Sequence, residues 1–121
     1  MSKIVSAINT MVSSPELITS VLMGGFDNEY YFKYDKKHSW SIMRNSEGEY
    51  SLHYYPGDAD ITELAAIPEE AWSDFEPESV RYSSKDIGTR EAIESFRDLH
   101  TIIGEKAYGM DDVLNEIIGN E

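Results

Sequence analysis

The chain has 121 residues, of which 40% are hydrophobic and 27% charged, and this is the length and composition of one folded domain. Asp and Glu number 23 against 10 Lys and Arg, and the net charge of −13 disfavours direct binding to nucleic acid or to anionic lipid. The absence of cysteine excludes disulfides, thiolate zinc sites, iron–sulfur clusters and cysteine nucleophiles.

The first segment has the apolar spacing of an amphipathic helix, formed by Ile4, Val5, Ile8, Met11 and Val12. Polar residues interrupt this stretch, so it lacks the continuous apolar run of about 7–15 residues that a signal peptide needs. No later run approaches the roughly 18 apolar residues of a membrane span. We therefore expect a cytoplasmic protein that does not bind membranes.

A second short helix is predicted after Ser14. The order Ser14-Pro15-Glu16 is that of an N-cap, a proline at the first helical position and an acid in the first turn. The apolar residues that follow would share one face of this helix, and Gly24-Gly25 would end it. They are Leu17, Ile18, Val21 and Leu22.

The pattern then changes to an alternation with a period of two, which is typical of strands. Residues 30–34, 39–43 and 50–55 each place aromatic or aliphatic side chains at every second position. Short connections at 35–38 and 45–48 join these segments, and the second contains the glycine that a tight hairpin favours. The three segments therefore predict an antiparallel meander.

The second half predicts further helices and one more strand. Asp60 and Glu63 have the spacing of a capping box before residues 64–67, and Pro68 begins another helical turn that includes Trp72 and Phe75. Residues 79–83 alternate again and predict a fourth strand.

Two helices are predicted to end the chain. The first runs from Asp86 or Thr89 to Gly104, with Ile93, Phe96, Leu99 and Ile103 as its core stripe. The last carries Met110, Val113, Leu114, Ile117 and Ile118 on one face and stops at Gly119. We expect this face to pack on the sheet, with docking to a partner as the alternative.

These elements predict one α+β domain over residues 1–121, with an antiparallel sheet of three to four strands (a meander plus one) and flanking helices. The predicted order is α-α-β-β-β-(short α)-β-α-α. No internal repeat, low-complexity tract or linker interrupts the chain.

The carboxylates are concentrated in the second half of the chain. Residues 1–57 contain 6 acids and 5 bases, whereas residues 58–121 contain 17 acids and 5 bases. The stretch 58–78, the acidic segment, has no Lys or Arg and contains Asp58, Asp60, Glu63, Glu69, Glu70, Asp74, Glu76 and Glu78. We predict that it docks a basic protein partner, and the alternative is a solvated surface that only maintains solubility.

A second candidate surface lies on the sheet face opposite the main aromatic stripe. If that face is open, it is a mixed polar and aromatic surface suited to protein recognition. Its candidate residues are Tyr31, Met43, His53 and Tyr55. The alternative is that the amino-terminal helices cover it.

Metal and catalytic signals are weak. A calcium loop counted from Asp58 puts ligands at Asp60 and Glu69, but Glu63 stands where the loop requires glycine. The three histidines are scattered, and no nucleophile-elbow, P-loop, dinucleotide-binding or zinc-protease motif occurs. We predict no metal site and no cofactor.

The sequence thus favours a non-enzymatic acidic module that recognises or inhibits a basic protein, with nucleic-acid mimicry as one form of this function. One alternative is a small metal-dependent or acid–base hydrolase that uses His53 with nearby carboxylates. Another is a structural subunit or assembly chaperone. The sequence does not indicate a homo-oligomer.

Overall fold

The computed structural model describes residues 2–26, 28–57, 60–71 and 78–119. The first half contains helix α1 (Lys3–Ser13), a 3₁₀ turn (Pro15–Leu17), and strands β1 (Ile18–Met23), β2 (Glu29–Tyr34), β3 (His38–Arg44) and β4 (Tyr50–Tyr55). The second half contains α2 (Ile61–Ala65), a 3₁₀ turn (Glu69–Ala71), β5 (Val80–Ser83), α3 (Ser84–Ile87), α4 (Arg90–Ala107) and α5 (Met110–Gly119).

The strands form one antiparallel sheet in the order β1-β2-β3-β4-β5, so each strand pairs with its neighbour in sequence. The α+β class is therefore confirmed, and the meander is part of a five-stranded sheet. The predicted number of three to four strands was too low.

The additional strand is β1, which the sequence predicted as a helix. Only Pro15–Leu17 form a helical turn, after which the chain extends and pairs with β2. The register shifts between Thr19 and Leu22, where Ser20 has a φ of 57°. This bulge inserts one residue and brings Ile18 and Val21, three positions apart, to the same face of the sheet. A bulged strand thus reproduces the apolar spacing of a helix.

The main core lies between one sheet face and helices α1 and α4. Ile8 of α1 and Phe96 and Ile103 of α4 pack with fully buried sheet residues such as Phe32 and Leu52. The stripe predicted for the long helix is correct for Phe96, Leu99 and Ile103, but Ile93 is exposed and Ala92 is buried instead.

Thr89 and Gly104 explain where helix α4 begins and why it extends beyond its predicted end. Thr89 caps the helix because its hydroxyl accepts a hydrogen bond from the amide of Ala92 at 3.1 Å. Gly104 does not end the helix as predicted. It lies against the ring of Tyr30, where a small residue allows close packing, and the helix continues to Ala107.

Helix α2 packs on the opposite face of the sheet. Ile61 and Leu64 of α2 form a second buried cluster with Tyr31 and Tyr55. The predicted N-cap is confirmed, since the Asp60 carboxylate accepts a hydrogen bond from the amide of Thr62 at 2.9 Å. This face is therefore covered by α2 and not by the amino-terminal helices. Trp72 and Phe75 lie outside the described residues.

No helix in the described part of the chain is long and apolar enough to cross a membrane.

Candidate functional site

The last helix, α5, exposes its apolar side chains. Val113 and Leu114 are 42% and 47% exposed, and Ile117 and Ile118 are 64% and 63% exposed. We call these four residues the α5 face. The expectation that they pack on the sheet was wrong, because these side chains are exposed and the helix that packs against α5 is α4.

The turn before α5 explains why this helix does not pack on the sheet. Gly109 has a φ of 64°, a left-handed conformation that glycine adopts without strain, and it separates α5 from α4. Tyr108, at the same turn, is also exposed. A cluster of exposed apolar residues of this kind is typical of an interaction surface.

A groove of about 720 Å³ runs between β1 and helices α4 and α5. Its apolar lining includes Ile18, Val21, Ile102 and Met110. Charged residues also line it, namely Glu16, Glu105 and Asp112 with Lys106 as the cation. We call it the β1–α5 groove. Because β1 is an edge strand, the groove adjoins the free side of the sheet.

Sequence reasoning missed this groove. Its carboxylates come from positions 16, 105 and 112, and only the tertiary fold brings them together. The one signal in the sequence was the apolar stripe after Gly109, on a segment from 107 to 121 that contains no Lys or Arg.

The acidic segment is described in part. Glu63, Glu70 and Glu78 are exposed, and Asp60 is exposed at the N-cap of α2. Asp58, Asp74 and Glu76 lie outside the described residues, and so does the side chain of Glu69.

Ion pairs in the described chain involve other carboxylates. They join Arg81 to Asp86, Lys85 to Glu49 and Arg90 to Glu94 at 3.9, 3.8 and 3.2 Å. Within the described residues, none of the acidic segment's carboxylates belongs to such a pair. For Asp60, Glu63, Glu70 and Glu78, the structure therefore describes no direct contact with a cation.

The sheet-face candidates do not form one open surface. Tyr31 is fully buried and Tyr55 nearly so, beneath α2, where the Tyr55 hydroxyl lies 2.9 Å from Ser41 Oγ. Burial raises the pKa of both phenols. Met43 and His53 are half-buried. A partner contacts the two tyrosines only if α2 moves away.

His53 lies opposite Arg81 in the pairing of β4 and β5, and its ring stacks on Tyr55. Burial, and to a smaller extent Arg81, lower the pKa of His53 below its ordinary value. Among the described residues, Arg81 is the charged group that acts on the pKa of His53. Asp58, one of the carboxylates nearest to His53 in sequence, lies outside the described residues. Among the described residues, no group of three or more His, Asp or Glu side chains forms a metal site.

His100 connects α4 to the start of β2. Its Nε2 lies 3.0 Å from the carbonyl oxygen of Asn28, and its ring contacts Tyr30 and Tyr50 at centroid distances of 5.3 and 5.4 Å. A carbonyl only accepts hydrogen bonds, so Nε2 carries the proton and donates. Burial lowers the pKa of His100, and the bond to Asn28 offsets this in part.

Acidification should therefore destabilise the fold before the carboxylates titrate. Both histidines have a folded-state pKa below the ordinary value of 6.5, so the unfolded chain binds protons that the folded chain does not. The free energy of unfolding should fall as the pH decreases from about 7.5 to about 5.5. Urea denaturation at several pH values measures this slope.

The matched variant for this measurement is the double replacement His53→Gln and His100→Gln, which removes both titrations but keeps polar side chains. It should show a clearly smaller pH slope in the same window. An unchanged slope in the double variant would contradict the assignment to these two rings.

No family model, curated protein or solved structure matches this chain.

Proposed function

We propose that this protein is a non-enzymatic binding module that recognises a basic, amphipathic segment of a partner protein in the β1–α5 groove and on the α5 face. The observation that carries the proposal is the exposure of the α5 face next to a groove that is lined in part by apolar residues. Helix-in-groove recognition uses apolar anchors at helical spacing in this way.

Charge supports a basic partner. Glu16, Glu105 and Asp112 line the groove, and Lys106 is the one cation among its described lining residues. Glu116 is exposed on α5. A partner segment with apolar anchors flanked by Lys and Arg complements both features. The net charge of −13 would also accelerate the encounter with such a partner at low ionic strength.

The acidic segment supports the same proposal, because its negative charge would attract a basic partner before contact is made. Its eight carboxylates are not interrupted by Lys or Arg in the sequence. Inhibition of a nucleic-acid-binding partner by mimicry is one form of this function, and competition between the protein and DNA for the purified partner tests that form.

The test begins with affinity purification from the native cell at low and high salt, followed by binding measurements with the purified partner. Replacing Leu114 and Ile117 together by serine should weaken binding at least about tenfold, because central apolar anchors carry most of the energy of an interface. Added salt should weaken it further.

The matched control is Ile93→Ser, since Ile93 is an exposed isoleucine on α4 outside the groove. It should bind the partner as the unmodified protein does. Equal affinity of the control and the α5 variant, or an affinity that salt does not change, would refute the proposal.

A further inference from the structure

Helix α2 is a small element that covers a limited part of one sheet face. It has five residues and packs on strands β1 and β2. Within α2, Ile61 and Leu64 are the buried residues, with 3% and 7% of their surface exposed, and both contact the second cluster with Tyr31 and Tyr55. A helix of this length is not stable by itself in water, so its contacts with the sheet hold it in place.

The main core does not depend on α2. It lies on the other face of the sheet, where Phe32 and Leu52 pack with Phe96 of α4. The five residues of α2 are all described, and none of them belongs to this core. Detachment of α2 would therefore remove contacts of the second cluster and leave the main core and the strand pairing intact. An opening of this kind costs less free energy than global unfolding.

The surface under α2 contains a polar group that the closed state does not satisfy. The hydroxyl oxygen of Tyr31 is buried and has no hydrogen-bond partner among the described residues. The hydroxyl of Tyr55 differs, because it lies 2.9 Å from Ser41 Oγ and forms a hydrogen bond with it. A buried hydroxyl without a partner destabilises the state that buries it, and water satisfies the hydroxyl once the cover is removed.

From these contacts we infer that α2 is a lid, which detaches from the sheet as a unit and exposes Tyr31 and Tyr55 while the main core stays folded. The small apolar contact of α2 limits the free energy of opening, and hydration of the Tyr31 hydroxyl lowers it further. Both tyrosines are buried in the closed state, so α2 controls access to this part of the sheet. The inference does not rest on the proposed function, because α2 contributes no residue to the β1–α5 groove or to the α5 face.

Thiol labelling of the complete protein measures this opening, because the chain has no cysteine of its own. Leu64→Cys places a thiol under α2, and the matched variant Leu99→Cys places one in the main core, where Leu99 is fully buried. A buried thiol reacts with an aromatic disulfide reagent only in molecules that have opened. We expect the thiol of Leu64→Cys to react at least about 100-fold faster than that of Leu99→Cys under native conditions.

Two conditions show whether this opening is local. Urea should accelerate the labelling of Leu99→Cys strongly and that of Leu64→Cys weakly, because the effect of urea scales with the surface that opening exposes. Ile8→Val weakens the main core, since Ile8 is fully buried there. It should accelerate the labelling of Leu99→Cys about fivefold and leave that of Leu64→Cys nearly unchanged, because the open and closed states both keep the main core.

A second matched pair tests the role of the buried hydroxyl. Tyr31→Phe removes the hydroxyl that has no partner and should slow the labelling of Leu64→Cys at least about fivefold, because closure then no longer buries an unsatisfied group. Tyr55→Phe removes a hydroxyl that is bonded to Ser41, and it should not slow the labelling.

Equal labelling rates for the two thiols with the same urea dependence would overturn the inference, since α2 would then leave the sheet only when the whole domain unfolds. A Tyr31→Phe variant that labels as fast as the unmodified tyrosine would overturn the role of the hydroxyl. If Leu64→Cys does not fold, hydrogen exchange of the unmodified protein decides. The amides of Leu64 and Ala66, which donate to the carbonyls of Asp60 and Thr62, should then exchange at least about 100-fold faster than those of the central strand β3.

Discussion

Replacing Ile103 by alanine should lower the free energy of unfolding by about 2–5 kcal/mol, whereas the same replacement at Ile117 should change it by less than about 0.5 kcal/mol. Both residues are isoleucines in helices near the end of the chain. Ile103 is fully buried in the main core, so its truncation leaves a cavity. Ile117 is 64% exposed, and alanine there also improves helix propensity slightly.

Urea denaturation followed by circular dichroism measures both variants, with the slope m as a check that the same surface is exposed on unfolding. The comparison of the Ile103 and Ile117 variants distinguishes two interpretations of α5. A large cost at Ile117 would mean that α5 is part of the core, and the docking surface would then not exist. A small cost leaves its apolar side chains free for a partner.

Replacing Gly24 by alanine should lower the free energy of unfolding by about 1–3 kcal/mol. Gly24 follows β1, and a methyl group on its Cα would overlap the carboxylate of Glu29. Glu29 is buried, with 6% of its surface exposed, and its Oε1 accepts a hydrogen bond from the amide of Phe26 at 3.4 Å. The Glu29 carboxylate must therefore move away from residue 24 to accommodate the methyl group.

Gly119→Ala is the control for this replacement, because a methyl group there meets no atom within 4 Å. It should leave stability nearly unchanged. In a Glu29→Ala background, Gly24→Ala should cost less than it does alone, and the difference is the coupling between the two positions. A Gly24 variant as stable as the Gly119 variant would show that the carboxylate moves without cost.

The three central strands were predictable from sequence because their alternation is uninterrupted and short turns separate them. The register pairs Phe32 with Trp40 and Trp40 with Tyr54, as a meander requires. The first strand was not predictable, since the bulge at Ser20 displaces Val21 by one position and imitates a helix. Periodicity cannot separate a short helix from a bulged strand, and pairing with β2 decides between them.

The candidate sites were less predictable than the fold. The stripe of α5 was visible in the sequence, but an amphipathic pattern is the same whether a helix packs on its own domain or on a partner. The contact of Val80 with Tyr54 is also not visible in the sequence, because only the pairing of β4 with β5 creates it. Coverage of Tyr31 and Tyr55 by α2 likewise depends on where a five-residue helix docks.

The bulge in β1 also restricts how this molecule associates. An edge strand with a continuous row of unpaired amides and carbonyls would template the addition of a strand from another chain. The left-handed residue Ser20 interrupts that row, and β5, at the other edge, has only four residues. Growth of the sheet from molecule to molecule is thereby discouraged at both ends, which directs association to side-chain surfaces such as α5.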